Sequence, residues 1–212
     1  KIIAMTKLNE KYYDWSKYSL EELCNIYNID NYIEKIRVLY RLFIKYYSRE
    51  LILDTANLLK TNNFLIDAKT VLSLGLLKES ENPDYYVARG YVYTNLEYFD
   101  NALDDFKIAI ELGADEKHKI YQGIGYIHMV KNNIHNAFNN FREAIQIKPD
   151  FYTCYMYMGD LCYYTKDYAE AESYYKKIPD NVYPRLNKLT YTKLAKINYY
   201  IYNNYETASE YY

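Results

Sequence analysis

The chain has 212 residues, with 26 Lys plus Arg against 28 Asp plus Glu and a formal net charge of −2. Acids are interleaved wherever lysines cluster, as at Asp115-Glu116-Lys117, so no field recruits nucleic acid or an anionic membrane surface. No apolar run approaches the roughly 18 residues that suggest a membrane span. Of the three cysteines, Cys154 and Cys162 fall on one predicted helix, about 12 Å apart along its axis. That is too far to bridge, and reduced thiols fit a cytoplasmic setting.

The sequence begins at Lys1 and stops at Tyr212 inside a recognisable pattern, so it reads as a piece of a longer protein. Tyrosine is abundant at 31 residues. Lys, Asn, Ile and Tyr are enriched together, as an AT-rich genome would produce, so only the position of each ring separates codon bias from a binding surface.

Residues 1–18 carry no period. Ser19-Leu20-Glu21-Glu22 has the form of a capping box, in which the Ser oxygen and the Glu carboxylate each satisfy a free helix N–H. A short helix to Tyr27 follows. Ile29, Ile33, Ile36, Tyr40, Phe43 and Tyr47 recur every three or four residues and predict an amphipathic helix over 30–47. Residues 1–48 are expected to form a helical cap or a degenerate first unit.

From residue 49 the chain is periodic. Ala68, Ala102, Ala137, Ala171 and Ala208 recur at intervals of 34, 35, 34 and 37. A second small residue, at Ala56, Gly90, Gly125, Gly159 and Ala195, precedes each by twelve positions, or thirteen in the last case. A large residue follows each second small one by four: Leu72, Phe106, Phe141, Tyr175 and Tyr212. Three coupled positions that repeat together describe two short antiparallel helices. Small residues sit where the helices approach, bulky ones fill the adjacent grooves, and neighbouring pairs stack because none buries its apolar face alone. Asn82-Pro83 predicts a cap with proline at the first helical position, and Asp167-x-x-Glu170 a cap for the second helix of its unit. Asn63 and Asn132 fall at the turns between helices, where Asn tolerates a left-handed backbone. The expected units are 49–82, 83–117, 118–151, 152–187 and an incomplete 188–212. A longer connection, Pro179 to Lys188 with Pro184 inside it, joins the last two.

The pattern resembles the tetratricopeptide repeat. Tyr86, Tyr121, Tyr155 and Tyr191 stand at its large fourth position and Gly90, Gly125, Gly159 and Ala195 at its small eighth. Ala102, Phe106, Ala109 and Ala137, Phe141, Ala144 match its later signature, and Pro149 its closing proline. The resemblance implies an all-α, right-handed superhelical solenoid of antiparallel helix pairs that binds other proteins.

Candidate chemistry is thin. Gly123-x-Gly125 lacks a third glycine and a preceding strand, so a phosphate loop is discarded. His118, His128 and His135 come without metal-ligand spacing, and His128 is expected in or near the core. Asp104-Asp105 and Glu170-x-Glu172 read as solvated helix surface. No catalytic residue, metal or cofactor is assigned, and enzyme activity is not expected.

The second, fifth, ninth and twelfth positions of each first helix share the side away from the small eighth residue, and the resemblance implies that they line a concave surface. The candidate groove residues are therefore Asn57, Val87, Tyr91, Thr94, Gln122, Tyr126, Met129, Met156, Asp160 and Tyr163. Unit five would add Leu189, Thr192, Lys196 and Tyr199. Aromatic and Met side chains supply adaptable contact area. Some relatives clamp the carboxylate end of chaperone tails with Lys at the fifth and Asn at the ninth position; here Leu53 accompanies Asn57, so that clamp is not expected. The expected function is a scaffold holding a peptide or protein in an aromatic groove. The alternatives are a spacer that self-associates through exposed ends, or the interaction domain of a larger enzyme whose catalytic part lies elsewhere.

Overall fold

The computed structural model describes residues 49–180 and 184–211; the capping box at Ser19 and the helix over 30–47 lie outside them. Among the described residues all regular structure is helical. The chain divides into two compact units, 1–112 and 113–212.

In the first unit, α1 (Arg49–Thr61) pairs with α2 (Leu65–Lys78), and α3 (Pro83–Asn95) with α4 (Phe99–Glu111). The second small residues, Ala68 and Ala102, are fully buried. Gly90 is buried beneath the ring of Phe106, sixteen residues on; a Cβ at Gly90 would stand 2.6 Å from Phe106 Cε1. The glycine is thus required by an aromatic side chain laid across it, rather than by the backbone-to-backbone approach the spacing suggests. The Asn82 side chain accepts from Asp84 N–H at 3.1 Å with Pro83 at the first turn, as expected.

A second buried row was not apparent from the repeat. Tyr85 and Val92, at the third and tenth positions of α3, are almost inaccessible and pack with Ile52, Leu72 and Leu76 of the preceding pair. Helix α3 is therefore buried on two sides, against its own second helix and against the preceding pair. This is how a core forms between pairs that are each too small to make one.

In the second unit, α5 (Lys117–Val130) pairs with α6 (Ile134–Ile147), and α7 (Tyr152–Tyr164) with the short α8 (Tyr168–Tyr175). The glycine–aromatic seat recurs: a Cβ would meet Phe141 Cε1 at 2.6 Å from Gly125, and Tyr175 Cε1 at 2.4 Å from Gly159. Cys154, Met158 and Leu161 of α7 join Ala137, Phe141 and Ala144 in one cluster. Asp167 Oδ1 caps α8 by accepting from Glu170 N–H at 3.2 Å. Turns between paired helices use left-handed backbone at Asn63 (φ 64) and Asn132 (φ 57), as expected, and also at Glu97 (φ 61) and Lys166 (φ 67), where the residue type gives no hint.

Two expectations change. Pro184 does not sit in a connection; it opens α9 (Pro184–Lys196), a position where its fixed φ and missing N–H cost nothing. The thirteen-residue spacing from Ala195 to Ala208 also has a cause. After α9 the chain makes a π-helical turn, Ile197–Ile201, before α10 (Tyr205–Glu210). A π-turn accommodates one extra residue within a helix, so Ala208 remains buried, at 1% exposure, despite the insertion.

A third expectation is overturned outright. Asp105 is not solvated surface but buried, and its carboxylate takes Arg89 Nε and Nη2 at 2.8 Å each. The pairing partner lies sixteen residues away on α3, so helical spacing within α4 could not reveal it. Asp104 is exposed, as read from the sequence.

Candidate functional site

Within the first unit, α1 and α3 carry four of the candidate groove residues. Asn57 is exposed, and Val87 and Tyr91 are half-buried. The Tyr91 ring meets Phe106 edge-on, with centroids 5.3 Å apart, and Lys60 Nζ lies 6.0 Å from its centre. The ring thus touches both the aromatic that seats Gly90 and a cation. Thr94 is different. It is buried, and its hydroxyl donates to the Gly90 carbonyl at 2.8 Å, a bond within its own helix that leaves little for a ligand.

Within the second unit, Gln122, Tyr126 and Met129 on α5 and Met156, Asp160 and Tyr163 on α7 are all half-buried. Their ninth and twelfth positions follow the eighth-position glycine that the second helix covers, so the face lies beside the packed seam rather than inside it. Tyr126 leans on Tyr157, with centroids 5.7 Å apart, and Tyr157 stacks on the core ring of Phe141 at 5.4 Å and 24°. Burial pushes the Tyr157 phenol up to about 12, so it stays neutral. Tyr163 sets its edge on Tyr168 at 5.5 Å. Met129 packs on the cluster around Phe141.

Asp160 supplies the carboxylate of this face, and it is engaged from two directions. It accepts from the Tyr175 hydroxyl at 2.7 Å and from the Lys193 ammonium of α9. Burial, then the adjacent Asp160, raises the Tyr175 phenol well above its ordinary value. Lys193 Nζ also lies 5.9 Å from the Tyr175 ring centre. Tyr157 and Lys193 were missed by sequence reasoning. Tyr157 stands at the sixth position of its helix, outside the expected set. Lys193 likewise stands at the sixth position in the register expected for the fifth unit, one residue after Thr192 and outside the expected set. Leu189 and Tyr199, named from that register, are exposed at 55% and 44%.

The three histidines stand in different surroundings. His118 is buried with its ring edge on Phe151 at 4.9 Å, and His128 is half-buried. Burial lowers the pKa of both. His135 is exposed, with Nε2 3.1 Å from Asn139 Nδ2. Among the described residues, no three His, Cys, Asp or Glu side chains gather as metal ligands, and no helix is long and apolar enough to cross a membrane.

The profile of the tetratricopeptide repeat matches residues 83–115 and 118–151. The chain carries tetratricopeptide repeats. Those two are the α3–α4 and α5–α6 pairs, whose Gly90–Phe106 and Gly125–Phe141 seats are described above. Solved structures of the same fold include MamA, with a TM-score of 0.62 at 17% identity over 86% of this chain and 99% of that one. Pseudomonas aeruginosa PilF gives 0.68 at 15% identity over 91% and 86%. YrrB, described as a TPR protein with an unusual peptide-binding site, gives 0.57 at 18% over 83% and 89%. At these identities the likeness is one of fold. The human protein O-mannosyl-transferase TMTC1 is 27% identical over a 161-residue alignment that covers 71% of this chain. The chain spans only 17% of the length of that relative. A tetratricopeptide array is in general a scaffold for protein–protein interaction rather than a catalyst.

Proposed function

We propose that these repeats hold a peptide or partner protein on the face formed by their first helices, and that they do so without catalysis or a cofactor. The observation that carries this reading is the row Tyr126, Met129, Met156 and Tyr163, apolar or aromatic and half-buried on consecutive first helices. Large side chains that a monomer neither buries nor scatters suit a hot-spot surface. Asp160 is already bonded to Tyr175 and Lys193, so a ligand gains little from a basic group there. Apolar anchors fit the face better. Asn57, Val87 and Tyr91 form the corresponding face of the first unit. The peptide-binding site of YrrB supports the reading by analogy of fold.

Length favours one elaboration. Because the chain spans 17% of TMTC1, the repeats would serve as the interaction module of a longer protein if that relationship holds along the whole chain. The cytoplasmic setting read from the cysteines belongs to the same proposal. Self-association through the ends of the array is the competing arrangement, and the test distinguishes it. A photoreactive benzophenone side chain at position 156 is expected to cross-link to a bound partner, whereas one at exposed Glu143 on α6 is not. Equal cross-linking from both positions, or cross-linking from 156 only to a second copy of the chain, would reject the first-helix face as a site for a foreign peptide.

A further inference from the structure

The groove reading leaves unused a second concavity, on the opposite side of the helix pairs in the first unit. Between α2 and α3 lies an open cleft of about 430 Å³, within the size range of ligand sites. Its walls differ in chemistry. Leu74, Leu77 and Tyr86 form an apolar side, and Leu77 is 82% exposed at the rim. Lys69, Ser73 and Arg89 form a polar side, and none of the lining residues is acidic.

Arg89 is held unusually firmly. Asp105 takes Nε and Nη2, Ser73 Oγ accepts from Nη1 at 3.2 Å, and the rings of Tyr86 and Tyr93 each lie 5.6 Å from the guanidinium carbon. A guanidinium fixed in this way presents its remaining N–H groups without further ordering cost. Asp105 compensates its charge from behind the cleft, so the net positive charge of the lining belongs to Lys69. Lys69 has no ion-pair partner among the described residues.

We infer that this cleft binds an acidic peptide segment. A bulky apolar side chain enters between Leu74, Leu77 and Tyr86, and an adjacent carboxylate pairs with Lys69 and takes the spare N–H groups of Arg89. Charge decides the partner. A basic segment would place a cation against Lys69 with no acid in the lining to offset it, and a neutral one would leave Lys69 unused.

The test uses the whole chain and two fluorescein-labelled probes, acetyl-Glu-Leu-Glu-Leu-Glu-amide and acetyl-Lys-Leu-Lys-Leu-Lys-amide, read by fluorescence anisotropy. The acidic probe is expected to bind at least about tenfold more tightly than the basic one, and to weaken as salt is added. Lys69→Glu and Leu77→Asp, both at positions that touch solvent, should each weaken it by at least about tenfold, with helicity unchanged. The double variant Tyr126→Ala/Tyr163→Ala, which removes the proposed groove anchors, should leave it unaffected. Equal affinity for the two probes, absence of binding at millimolar concentrations, retention in either cleft variant, or loss in the groove variant would each overturn the assignment. Failure here leaves the first-helix face untouched, because the two surfaces share no residue.

Discussion

Phe141 lies across Gly125: a methyl group at residue 125 would stand 2.6 Å from Phe141 Cε1 and 2.7 Å from Cδ1. The ring is fully buried and stacks on Tyr157 at 5.4 Å. Alanine at 125 gains about 1 kcal/mol of helix propensity, but overpacking a filled core costs about 1–3 kcal/mol. Gly125→Ala should therefore be net destabilising, by roughly 1 kcal/mol. At Gly75 the nearest atoms, on Tyr85 and Ile52, stand at 3.1–3.3 Å, so Gly75→Ala should cost less. Urea unfolding of the two variants side by side checks the order, and equal stability would remove the ring-seat explanation for the repeated glycine.

The Arg89–Asp105 pair makes different predictions for single and double changes. Asp105 is 5% exposed as a side chain and Arg89 18%, so solvent screens the pair only weakly. Asp105→Leu alone strands a guanidinium beside apolar rings and should cost about 3 kcal/mol. Arg89→Met combined with Asp105→Leu should recover most of that loss, because apolar replacement of a buried pair is often neutral. A double-mutant cycle from thermal melts measures the coupling, and additive losses would show that the two side chains act independently.

His118 and His128 give the fold an acid-sensitive term. Burial is the largest cause lowering both, reinforced by Lys148 at His118 and Lys131 at His128. Their folded pKa values lie below the ordinary value, so the unfolded chain takes up protons first. The stability held by the neutral rings is full above about pH 6.5 and is lost as pH falls through the folded values. His118 Nε2 has no hydrogen-bond partner, so His118→Phe should keep the contact with Phe151 and flatten part of the dependence. Melting temperatures compared at about pH 7.5 and pH 5.5 test this, with a smaller drop expected in the variant.

Burial pushes the thiols of Cys154 and Cys162 up to about 12, leaving almost no thiolate at neutral pH. Both should resist iodoacetamide in the folded protein and react once it is unfolded in urea. Mass spectrometry of the peptides containing each residue reads the two sites separately, and rapid labelling of either in the native state would contradict its burial.

The sequence conveyed what depends on local spacing. The small residues and their bulky partners recur at fixed offsets, and the caps at Asn82 and Asp167 carry their own local pattern, so the helix pairs could be read from them. Contacts between elements far apart in the chain left no such trace. Tyr85 and Val92 look like ordinary helix positions until the preceding pair is stacked against them. Asp105 looks solvated until Arg89 is brought beside it. Glu97 and Lys166 adopt left-handed turns because the helix pairing demands it, not because their side chains favour it. On the candidate face, helical phase placed Tyr126, Met156 and Tyr163 on one side of their helices, and the expectation that this side lines a groove came from the resemblance. The bond from Lys193 to Asp160 could not be seen, since it joins side chains 33 residues apart on different helices.

The reading of these repeats as a peptide-binding module rests most directly on Tyr126 and Tyr163. A peptide selected from a displayed library against the whole chain can be titrated calorimetrically into wild type and into Tyr126→Ala/Tyr163→Ala, with circular dichroism as a check on helicity. The account predicts that the double substitution raises Kd by at least about tenfold while the helical signal is kept. An unchanged Kd with intact helicity would contradict it.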